Sequence, residues 1–95
     1  MADPTETTGK VLFVKVGNGI GITEILDNVT QMSELFFIWF DAVQPDVPSA
    51  FDRIKQSQQV SLLREALVHN LNVLVTHDAG TGSFIHSVEL KAPGT

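Results

Sequence analysis

The chain has 95 residues, 43% of them hydrophobic and 18% charged, with a formal net charge of −5. A disordered chain carries less apolar content and more charge, and a collagen-like one far more Gly and Pro, so both are excluded. The length fits one domain with one hydrophobic core.

Residues 1–10 have neither a cationic start nor an apolar stretch. They read as a disordered tail rather than a signal peptide. Residues 11–16 read as a strand, with Leu12, Val14 and Val16 on one face and Val11, Phe13 and Lys15 on the other. Gly17-Asn18-Gly19 follows and predicts a type I′ hairpin turn. Residues 20–26 return as a second strand carrying Ile20, Ile22, Glu24 and Leu26 on one side, and Asp27-Asn28 breaks it.

Residues 34–40 contain Leu-Phe-Phe-Ile-Trp-Phe, whose aromatic and β-branched content favours a strand. Strict alternation puts Leu35, Phe37 and Trp39 on one face and Phe36, Ile38 and Phe40 on the other, so both faces are apolar. Such a strand needs cover on both sides. Either it is a central strand enclosed by its own chain, or it meets another subunit. Phe36, Ile38, Trp39 and Phe40 are the candidate interface residues. Trp39 is the expected anchor, since aromatics dominate interface cores.

Pro45 and Pro48 predict a loop. Ser49 is a plausible helix cap with Asp52 three residues on, and a helix follows over residues 50–70. Phe51, Ile54, Leu62, Leu63, Ala66 and Leu67 supply its expected buried stripe. Asn70 is a left-handed terminator. Residues 71–76 read as a fourth strand with Leu71, Val73 and Val75 on one face. Residues 77–82 form a turn, and residues 83–90 a fifth strand with Phe84, His86, Val88 and Leu90 on one face.

These elements predict a small α+β domain in β-β-β-α-β-β order over residues 11–91, with tails 1–10 and 92–95. The architecture is an OB-like barrel, or a curved antiparallel sheet with one helix packed on it. In element order the chain resembles the small OB-fold binding subunits of AB5 bacterial toxins, which place a helix between the third and fourth strands and assemble as rings. The resemblance implies an oligomer and carries no binding residues across. The cysteine pair usual in secreted members is missing here.

The six cations are scattered from Lys10 to Lys91, so no basic patch for nucleic acid or an anionic membrane can be drawn. The longest apolar run is far shorter than a membrane helix, and cytoplasmic is the default location. The absence of cysteine excludes disulfides, thiolate metal sites and a Cys nucleophile. His77, Asp78 and His86 on the last hairpin are the candidate ligand-binding group, with His77-Asp78 a possible acid/base pair at the tip. The competing reading is an ordinary turn in which Asp78 caps local amides. Gly80-Thr81-Gly82-Ser83 lacks the following helix and the lysine of a phosphate loop. His69, His77 and His86 lack metal-ligand spacing. The sequon Asn28-Val29-Thr30 is present without a visible secretory route.

No catalytic residue, metal or cofactor is assigned. The expected function is non-enzymatic binding by a homo-oligomer, with the partner, protein or glycan, left open. Two alternatives stand beside it: a small enzyme or ligand carrier using His77, Asp78 and His86, and a structural subunit of a larger particle.

Overall fold

In a computed structural model residues 5–40, 50–78 and 83–91 are described. The Pro45–Pro48 loop, the Ser49 cap, the 79–82 tip and the 92–95 tail lie outside the described residues. Five strands and one helix follow in the expected order: β1 (Thr5–Gly17), β2 (Ile20–Asp27), β3 (Ser33–Phe40), α1 (Ala50–His69), β4 (Asn72–His77) and β5 (Ile85–Leu90). The result is a small α+β domain built on one antiparallel sheet in the order β3-β2-β1-β4-β5.

The sheet is not closed. Among the described residues an isolated parallel bridge joins Phe37 of β3 to Phe84, carried by a 2.9 Å bond from the Phe37 N–H to the Ser83 carbonyl.

The first strand starts at Thr5, so residues 5–10 belong to the sheet and not to a tail. They pair with β4 from Thr5 opposite His77 to Lys10 opposite Asn72, while Gly9–Gly17 pairs with β2. Lack of apolar residues misled the sequence reading here. An alternating Thr-rich segment is a good strand when a partner supplies the ladder.

Three irregularities set which side chains meet the helix. In β1 the register shifts between Val11 and Phe13, in β3 Ile38 is an extra residue opposite the Gly21–Ile22 step, and in β5 His86 is extra opposite the Thr76–His77 step. A bulge of one residue moves every later side chain to the other face. The core side therefore carries Val11 and Val14 of β1, Ile25 of β2, Phe36, Ile38 and Trp39 of β3, Val73 and Val75 of β4, and Ile85, Val88 and Leu90 of β5. The expected alternations in β1, β3 and β5 fail at these points.

Helix α1 packs on this face through Leu63 and Ala66, with Val60 beside them. Gln59 is buried with them because its Nε2 donates to the His86 carbonyl at 3.3 Å. The expected stripe is corrected at its start: Phe51 is 76% exposed and Ile54 58%. Both lie about a quarter turn or more from the Gln59–Leu63–Ala66 line on a 3.6-residue helix. The helix ends as predicted. Asn70 has φ 54°, and the Leu71 N–H reaches back to the Ala66 carbonyl at 2.9 Å, the bond of a Schellman motif.

The first hairpin is tight, with Gly17 opposite Ile20, but only Gly19 has positive φ, at 73°. A type I′ turn needs positive φ at both central residues, so the expected type is corrected. Asp27 ends β2 by accepting from the Val29 and Thr30 amides at 2.7 and 3.3 Å. No helix among the described residues is long and apolar enough to cross a membrane.

Candidate functional site

His77 is the last residue of β4 and is 3% exposed, not a hairpin tip. Its register partners, Thr5 and Ile85, place it on the core side, where its ring lies 4.4 Å from that of Phe36. Nδ1 is 2.7 Å from the Asp78 carbonyl, which can only accept, so Nδ1 carries a proton. Nε2 is 2.8 Å from the Thr7 hydroxyl, which can donate to it when Nδ1 carries the ring's proton. Ser83 Oγ lies 3.3 Å from Nδ1. Thr7, His77 and Ser83 are all buried. With Nδ1 already donating to a carbonyl, no basic nitrogen faces the Ser83 hydroxyl, so the trio is not arranged as a nucleophile and its base. It ties the start of β1 to the end of β4.

His86 and Asp78 do come together. Nε2 donates to Asp78 Oδ1 at 2.6 Å, with the two side chains 50% and 59% exposed. The geometry follows from the bulge in β5. His86 is the extra residue, so it leaves the core face and crosses the hairpin to Asp78. Val75 pairs with Val88. The predicted trio is thus split: Asp78 and His86 form an exposed pair, and His77 faces inward. His69 is far off on α1, paired with Glu65 at 3.1 Å. Among the described residues no group of three or more His, Asp or Glu is placed to hold a metal ion.

Of the predicted interface residues, Phe36 and Ile38 are enclosed within the chain's own core. That corrects their assignment: β3 is an edge strand of the sheet, not a central one, and this face of it is covered by its own chain. Trp39 is half-buried against the same core. Phe40 is on the outer side, its ring 5.2 Å edge-on from that of Phe37, which in turn lies 5.7 Å from that of Phe84.

The outer face of the sheet is the feature that alternation within β3 understated. Its cross-strand rows run Phe13–Glu24–Leu35, then Lys15–Ile22–Phe37, then Gly17–Ile20–Phe40. Ile20, Ile22, Leu35, Phe37 and Phe40 are half-buried, Phe13 is 36% exposed, and α1 packs on the opposite side. The run of apolar residues at 20, 22 and 26 was the sequence signal for this face.

A concave feature lies between the end of β1, the end of β3 and the start of α1. Val16, Trp39 and Val60 line it with Arg53, Gln56 and Ser57, enclosing about 210 Å³.

No protein-family model and no curated protein sequence matches the chain.

Proposed function

We propose that the chain is a non-enzymatic interaction module that assembles with copies of itself through the outer face of β1, β2 and β3. The observation that carries this reading is the set of aromatic and branched rows on the face opposite the helix. An apolar sheet face of this kind gains free energy when water is removed from it, at roughly 25 cal/mol per Å². A second copy is the fitting occupant because the face is self-complementary in charge. Lys15 and Glu24 are diagonal neighbours within it, so a two-fold stack sets the lysine of one copy against the glutamate of the other. Association also covers a β-prone, nearly uncharged run that left exposed is an aggregation hazard.

Catalysis draws no comparable support from the hairpin. The His77 imidazole is enclosed with both nitrogens engaged, and the Asp78–His86 pair stands on the surface.

Sedimentation equilibrium at micromolar concentration tests the reading, with Phe13→Lys as the disrupting variant. The new lysine stands opposite Glu24 in the strand register and keeps an oppositely charged neighbour in the monomer. The unaltered chain is expected to sediment as a dimer or larger species and the variant as a monomer with unchanged circular dichroism. A monomeric unaltered chain sinks the proposal, as does a variant that still assembles.

A further inference from the structure

Three observations meet at the cleft beside Trp39. The first is the pose of the ring. A Cβ built on Gly21 would lie 2.6, 2.7 and 2.9 Å from three successive carbons of the Trp39 six-membered ring. Near-equal distances to three neighbouring ring atoms mean that the ring's face, not its edge, covers Gly21. One face of the indole is thus seated on β2 backbone, and the ring surface left to the cleft is a supported aromatic wall. The second is the lining: Val16 and Trp39 on the sheet side and Val60 on the helix make much of it apolar around about 210 Å³, with Arg53, Gln56 and Ser57 the polar residues of the helix side. The third is an orphan acceptor. Gln56 is among the lining residues, and its Oε1 is shut from solvent with no hydrogen-bond partner. Buried polar atoms are normally paired, and a turn of the Gln56 amide would bring this unpaired acceptor to a donor held in the cleft.

We propose that this cleft binds small planar aromatic molecules that carry one ring N–H, of the indole class. The volume falls below the roughly 300–1,000 Å³ of common ligand pockets, which limits the occupant to one or two fused rings. The apolar walls and the Trp39 ring take the ring in an offset stack or edge-on contact. The single N–H meets Gln56 Oε1, whose terminal amide turns about a broad torsion and so reaches a donor in the cleft. A ligand with many hydroxyls would lay most of them against Val16, Val60 and the Trp39 ring, since the polar residues Arg53, Gln56 and Ser57 line only the helix side.

The test is a titration of the 15N-labelled chain with indole and with 1-methylindole, which lacks the N–H. Trp39 is the single tryptophan, so one side-chain Nε1–H resonance reports the wall directly. Indole is expected to give saturable shifts at that resonance and at the Val16 and Val60 amides. 1-Methylindole is expected to bind roughly fivefold more weakly, the value of one neutral hydrogen bond. In Gln56→Met, which keeps helix propensity, the two probes become equal. Absence of saturable shifts at Trp39 overturns the proposal. So does equal affinity of the two probes for the unaltered chain, a comparison that needs no variant to fold, and so does a preference that persists in Gln56→Met.

Discussion

Gly9 stands where β1 is paired on both sides at once, with Asp27 of β2 and Val73 of β4. A methyl group there would overlap the Leu26 carbonyl oxygen and lie 2.7 Å from the Leu26 carbonyl carbon and 3.2 Å from Asp27 Cα. Comfortable contacts between carbons are about 3.5–4.0 Å. All three atoms are backbone in a hydrogen-bonded strand, so relief requires β1 and β2 to part. Overpacking costs about 1–3 kcal/mol where side chains can adjust, and a backbone obstacle puts Gly9→Ala at the upper end or beyond. Alanine recovers roughly 0.5–1 kcal/mol of chain entropy relative to glycine, so the expected net loss is about 2–3 kcal/mol. Gly21→Ala is the matched control. The three atoms nearest its added methyl are all carbons of the Trp39 ring, at 2.6–2.9 Å, and that side chain can move into the adjoining cleft. The expected net change there is within about 1 kcal/mol. Against a total stability of about 5–15 kcal/mol, the difference is large. It corresponds to a fall in Tm of about 8–24 °C for Gly9→Ala and under about 8 °C for Gly21→Ala. Urea unfolding followed by circular dichroism and Trp39 fluorescence measures both, with an unchanged slope required for the comparison. If Gly9→Ala is as stable as Gly21→Ala, the close passage of β1 across β2 is wrong.

Two further predictions bear on the helix and the histidine. Leu63→Ala empties a fully buried position and is expected to cost about 2–5 kcal/mol, while Phe51→Ala, on the exposed side, should stay within about 0.5 kcal/mol. A cost for Phe51→Ala comparable to that of Leu63→Ala in thermal unfolding would mean that the helix packs by the whole stripe read from the sequence. Thr7→Val keeps the shape but removes the hydroxyl that reaches His77 Nε2. It leaves a buried ring nitrogen unpaired, and chemical denaturation should register a loss of about 1–3 kcal/mol. A neutral result would show that His77 finds another partner.

Much of the fold was legible along the chain. The element order, the first hairpin's position, the Asp27 break and the Asn70 helix end follow from local rules: apolar periodicity, turn residues with positive φ, and a left-handed terminator. The candidate site was less legible, for an equally physical reason. Asp78 and His86 are close in sequence and meet across a hairpin. His77 is polar in a polar stretch, and its burial is completed by Thr7, seventy residues away in the chain, which pairs with Nε2.

Composition and patterning determined that 95 weakly charged, 43% hydrophobic residues would make one small α+β domain with a strand that is apolar on both faces. Only the tertiary structure decided which faces those are. The extra residues in β1, β3 and β5 each reverse the two-residue alternation. Bulges are chosen by the fit between neighbouring strands, not by local preference, so strict alternation misplaced Trp39, Val14 and His86. The same holds for the helix. Phe51 and Ile54 are apolar, yet burial went to Gln59, because its amide could pair with the His86 carbonyl and its azimuth matched Leu63 and Ala66. Residues 5–10 became a strand for the same reason: β4 offered an open edge, and a threonine-rich segment could fill it.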